Sequence, residues 1–115
     1  MTSVNEIAQD FTALLRAGEF DAAAARHCAA DVTSVEPGAT SDGCPVTHRR
    51  NPIWSGADGI DDLSIDGPFV TGDQFALFLD MMIVDRDSGA VQPFTEIALY
   101  TVRGARITEE RYFYD

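Results

Sequence analysis

Several side chains in this sequence could handle protons, and their positions decide whether they do. Glu36 closes a short alternating run and stands directly before Pro37 and Gly38. A carboxylate there can take a proton from a carbon next to a carbonyl if partial burial raises its pKa toward neutrality, whereas in water it is an ordinary strand-end acid. Glu96 lies inside the apolar run 94–102 and, if buried, either serves as a neutral acid or pairs with an arginine. Asp80 interrupts the apolar run 75–84; with Phe78 and Met82 on its face, it lines an interior or sits on a partly wet interface. Trp54, Phe69, Tyr112 and Tyr114 offer apolar area with a few polar tips, as suits an aromatic or polycyclic ligand; the same residues also pack ordinary cores. Tyr112 and Tyr114 alternate with Glu110 on one face, which leaves Phe113 on the other.

Other chemistries are disfavoured. His27 and Cys28 are adjacent and cannot point the same way on a helix. With Cys44 and His48 they lack the short ligand spacings of a zinc site, and no third residue orients a Cys-His nucleophile. No metal or organic cofactor is expected. His48, Arg49 and Arg50 read as a solvent-facing patch, or as a contact for an anionic substrate at a pocket mouth. All eight cations are arginine, so lysine Schiff bases and lysine-dependent phosphate loops are excluded. A formal charge of −11 repels phosphate backbones and anionic lipid, so neither nucleic acid nor a membrane surface is an expected partner. No apolar run reaches the ~18 residues of a bilayer span and no signal-peptide pattern opens the chain, so a cytoplasmic protein with reduced thiols is expected.

The elements that must position these residues are readable in outline. At 115 residues, with 45% apolar and 23% charged residues, the chain has the composition of one globular domain, 1–115. Ser3 and Glu6 form a capping box, and Val4, Ile7, Phe11, Leu14 and Leu15 recur at helical spacing up to Gly18, which predicts a helix over 4–17. An alanine-rich stretch predicts a second helix over 19–30. Residues 32–36 change to period two. Residues 39–62 are broken by glycine and proline and are read as a loop with a short helix near 47–54. A short strand at 63–65, a turn at Gly67-Pro68, and strands at 75–84, 94–102 and 107–114 complete an antiparallel meander. Helices first and strands later define an α+β class.

An ordered set of short pieces carries a resemblance: residues 11–18 with Phe20, then Ala30-Asp31-Val32, Val35-Glu36-Pro37, Gly67-Pro68-Phe69, Gly72-Asp73-Gln74-Phe75-Ala76, residues 96–102, Arg106-Ile107 and Tyr112-Phe113-Tyr114. Together they resemble a SnoaL-like protein of the nuclear transport factor 2-like (NTF2-like) superfamily. The resemblance implies a cone in which helices and a curved antiparallel or mixed sheet enclose a small-molecule pocket, with a homodimer through the outer sheet face. The ketosteroid isomerases of that superfamily place an aspartate base where Glu36 stands. Their two oxyanion donors fall at Phe11 and near Ala98, neither of which can donate, so steroid isomerisation is not expected. The epoxide hydrolases use an acid-arginine-acid set, but the adjacent Asp85, Arg86 and Asp87 read as a solvated turn. The expected function is cofactor-independent isomerase, cyclase or dehydratase chemistry through Glu36 and Glu96. Phe11, Trp54, Phe69, Asp80, Ala98, Tyr112 and Tyr114 would line the ligand site. The alternative is a non-catalytic binding or interaction domain on the same scaffold.

Overall fold

The computed structural model describes residues 3–36, 39–42, 57–85 and 87–114, without the side chains of Glu36, 39–42 and 57–61. Helix α1, Val4–Arg16, starts as the capping box dictates: the Ser3 hydroxyl accepts from the Glu6 amide at 3.1 Å, and the Glu6 carboxylate accepts from the Ser3 amide at 3.4 Å. Its stripe of Ile7, Ala8, Phe11 and Leu15 is buried, each large side chain contributing about 1.5–3 kcal/mol through removal from water. Gly18, at φ +76°, ends it. Helix α2, Phe20–His27, is shorter than the composition predicts, because Cys28 already belongs to a strand. Pairing with a neighbouring strand overrides the helix propensity of Ala29 and Ala30.

Six strands follow: β1 Cys28–Glu36, β2 Ala39–Asp42, β3 Ala57–Thr71, β4 Gln74–Asp85, β5 Val91–Arg103 and β6 Arg106–Phe113. They form one sheet in the order β2-β1-β6-β5-β4-β3, antiparallel throughout except for the parallel β1–β6 pair. The fold is α+β with a mixed sheet, and its second half is the antiparallel meander expected. Two readings need correction. β2, which pairs antiparallel with β1, lies in a stretch read as loop, since one alanine and three small polar residues carry no apolar alternation. Gly67-Pro68 is not a turn but an irregularity inside the long β3, and the hairpin closes later, at Gly72-Asp73. The expected short helix at 47–54 lies outside the described residues.

Alternation sorts the sheet into two faces. On β4, Phe75, Leu77, Leu79, Met81 and Ile83 are buried on one face, while Phe78 and Asp80 are exposed on the other. Arg16, at the end of α1, reaches the sheet, donating to the carbonyls of Ile65 at 2.8 Å and Gly67 at 3.1 Å. These bonds fix the helix layer over the irregular part of β3.

Candidate functional site

On the inner face, polar side chains occupy what would otherwise be an apolar core. Cross-strand registers arrange them in rows. One row runs from Ser34 on β1 through Glu110 on β6 and Tyr100 on β5 to Phe75 on β4. In the next row Tyr112 stands opposite Ala98, which stands opposite Leu77. The last residue of β1, Glu36, follows the Val35–Arg111 pair, so its backbone is level with Tyr112. Beyond that row Glu96 faces Leu79 across β4. Glu110 is 0% exposed and Glu96 2%, unusual values for carboxylates.

Glu110 has donors from two strands. The Tyr112 hydroxyl donates to Oε2 at 2.6 Å and the Cys28 thiol to Oε1 at 3.6 Å. Tyr112 and Phe11 both meet Tyr100 edge-on, with ring centroids 6.5 and 4.9 Å away, and Phe75 stacks on Tyr100 at 4.8 Å. A β-bulge brings Glu110 inside. Thr101 pairs with Glu109 while Val102 pairs with Ile107, so Thr108 is extra and the alternation of β6 is re-phased after it. Ile107 and Glu110 both face inward, three residues apart.

The other expected site residues fall in different places. Ala98 and Tyr112 are buried facing each other, and Tyr114 is half-buried with its ring 5.2 Å from Phe94. Phe11 is fully buried among Phe75, Tyr100 and the His27 ring and belongs to the aromatic core. Phe69 does not line the interior. It is 62% exposed near the β3–β4 hairpin, because the irregularity between Asp66 and Phe69 shifts the register of β3. Asp80 likewise points outward, exposed and paired with Ser64 and Thr95, as the strict alternation of β4 requires. Trp54, Cys44, His48, Arg49 and Arg50 lie outside the described residues, as does the Glu36 side chain.

Elsewhere, acids have structural partners. Asp85 Oδ1 accepts from the amides of Asp87 at 2.8 Å and Ser88 at 2.9 Å. Those bonds, the Ser88 amide's foremost, hold its carboxyl below the usual range, and this acid shapes the hairpin. His27 Nε2 lies 2.6 Å from Asp10 Oδ2, which also accepts from Arg26 at 2.9 Å. These bonds, that with His27 first, lower the Asp10 pKa. His27 therefore faces Asp10 while Cys28 faces Glu110, so the neighbours point apart. Among the described residues no three His, Cys, Asp or Glu side chains are grouped to hold a metal ion. Among them, too, no helix is long and apolar enough to cross a membrane.

Glu110 is the site residue that strand reading alone did not select. Its only sequence signal was its phase with Tyr112 and Tyr114.

This architecture has known counterparts. A protein of Mesorhizobium loti assigned as a SnoaL-like polyketide cyclase is 36% identical over 97% of this chain and 99% of its own, with a TM-score of 0.83. An NTF2-like protein of Burkholderia thailandensis superposes with a TM-score of 0.80 at 17% identity, over 100% of this chain and 92% of its own. TerC, co-crystallised with polyporic acid, superposes at 0.70 and 17% identity, over 91% and 85%. At these lower identities the likeness shows the fold alone. No curated protein matches this chain. The SnoaL-like domain model matches residues 1–114, and with two helices on a mixed sheet that superposes on these structures, the chain belongs to the SnoaL-like family, on the NTF2-like fold.

Proposed function

We propose that this protein binds an apolar, polycyclic or polyketide-like small molecule and moves protons on it by carboxylate acid–base chemistry, as an isomerase, cyclase or dehydratase does. Glu36 is the base and Glu96 a second acid. The observation that carries the reading is the placement of Glu96 and Glu110 in the apolar interior. Burying a carboxylate is costly and gains nothing for packing, and such groups gather where a protein needs a shifted proton affinity. The level of the Glu36 backbone with Tyr112 and Ala98 supports a base beside this face. The cyclase assignment of the M. loti protein supports a small organic ligand.

A thermal-shift screen of aromatic ketones and polyketide-like lactones on wild type and Glu36→Gln tests this reading. The glutamine variant should bind any hit as wild type does and lose turnover by about 10²–10⁴-fold. Turnover that survives the substitution removes Glu36 as base. A wild type that no compound stabilises favours the non-catalytic reading.

The outer face supports an accompanying assembly. Phe78, Ile97 and Phe113 are direct cross-strand neighbours on β4, β5 and β6, and are 39%, 46% and 49% exposed. A contiguous apolar row, flanked on the same face by Ala76 and Leu99 on one side and by Asp80 and Thr95 on the other, fits a second copy of this chain, sheet against sheet, as a homodimer.

A further inference from the structure

Buried polar side chains are expected to find hydrogen bonds inside the chain, and several do. The Thr12 hydroxyl donates to the carbonyl of Ala8 at 2.6 Å, His27 meets Asp10, Thr101 accepts from the Gln74 amide at 3.1 Å, and Glu110 accepts from Tyr112 and Cys28. Ser34 differs. It is 3% exposed, and among the described residues its hydroxyl makes no hydrogen bond to backbone or side chain. A hydroxyl withdrawn from water without a partner costs about 1–3 kcal/mol, which an alanine on the same strand would avoid. A serine at such a place points to a partner outside the chain.

The surroundings of Ser34 say what kind of partner fits. The register sets it beside Glu110 on β6, and Tyr100 and Phe75 continue the row, so its hydroxyl accompanies aromatic surface on the acidic inner face. A hydroxyl both donates and accepts, so it can hold a carbonyl or a hydroxyl oxygen. A chain of formal charge −11 disfavours a carboxylate or phosphate in that place. Glu36 follows two residues later on β1, about 6–7 Å along the strand.

We propose that Ser34 is a ligand-binding residue whose hydroxyl takes an uncharged carbonyl or hydroxyl oxygen of an aromatic ligand. This rests on the small-molecule reading above and narrows it: the ligand carries an oxygen substituent set apart from the carbon that Glu36 deprotonates. Holding that oxygen fixes which edge of the ligand lies along β1, and so which carbon comes level with the base. No proton changes hands at Ser34, which determines specificity and orientation.

Ser34→Ala tests this in two ways, with its folding checked by circular dichroism. Without any ligand, the variant should melt at the wild-type temperature or a few degrees above it, because the hydroxyl removed had no bond to lose. A melting temperature several degrees lower means a partner within the protein and overturns the proposal. The second measurement titrates 2-naphthol and naphthalene, each followed by its own fluorescence, against both proteins. The ratio of the two affinities should shift about tenfold toward naphthalene in Ser34→Ala, the worth of one hydrogen bond. An unchanged ratio overturns the role of Ser34 and leaves the small-molecule reading standing. Failure of wild type to bind either compound overturns that reading and the role of Ser34 with it.

Discussion

Phe11 is a core residue, fully buried with Tyr100 at 4.9 Å. A hydroxyl added at that site would enter packed aromatic surface. Phe11→Tyr should therefore lower stability by about 1–3 kcal/mol, read from urea denaturation; unchanged stability would show a polar space beside the ring. Asp10, the residue before it, links the helices through His27 and Arg26. Its folded carboxyl titrates below the ordinary value of 3.8. The stabilisation is thus complete above that value and is lost as pH falls through the folded pKa. Asp10→Asn should melt at a lower temperature than wild type at pH 7, with the gap closing in strongly acidic solution. The buried stripe that holds Phe11 was legible in the sequence because the helix and its stop at Gly18 were. The Asp10–His27 pair was not, since it joins two helices whose packing angle no periodicity reports.

At the scale of elements, the clearest signals were local ones. The capping box of α1 needs only four consecutive residues, and Ser3→Ala should cost about 1 kcal/mol. β3 was the least legible, because its irregular middle looks like a turn. Gly67 has φ +119°, and a Cβ there would lie 2.9 Å from the carbonyl oxygen of Ala76 on β4. Neither the conformation nor the space suits another residue, so Gly67→Ala should destabilise by about 1–3 kcal/mol in chemical denaturation. A fold as stable as wild type would mean that β3 and β4 are free to separate there. The same irregularity explains the misplacement of Phe69: a register shift in β3 moves side chains to new positions, and alternation counted from Leu63 cannot see it.

For the whole molecule, the two faces of one sheet divide the work. The inner face carries buried acids and phenols, and the outer face carries the row Phe78, Ile97 and Phe113. If that row is a self-contact, Ile97→Glu places like charges against each other across the interface. It should halve the mass seen by sedimentation equilibrium while leaving the circular dichroism spectrum unchanged. A wild type that sediments as a monomer at micromolar concentration would remove the dimer. The net charge of −11 makes any such association salt-dependent, tighter as ionic strength screens the repulsion.

The sequence by itself determined α1, the order of helices before strands, the meander and the family, because caps, periodicity and hairpin turns are written in neighbouring residues. It also located Ala98 and Tyr112 on strands. Tertiary structure decided which faces those strands present. Asp80 and Glu96 are both acids inside apolar runs, yet one is exposed and the other buried, since each follows the phase of its own strand against the helix layer. Glu110 depends on a single extra residue, Thr108, which re-phases β6 and turns its carboxyl into the core. A bulge is set by pairing with a partner strand, so alternation counted from Ile107 cannot announce it, and only the phase with Tyr112 and Tyr114 pointed to the face that Glu110 shares.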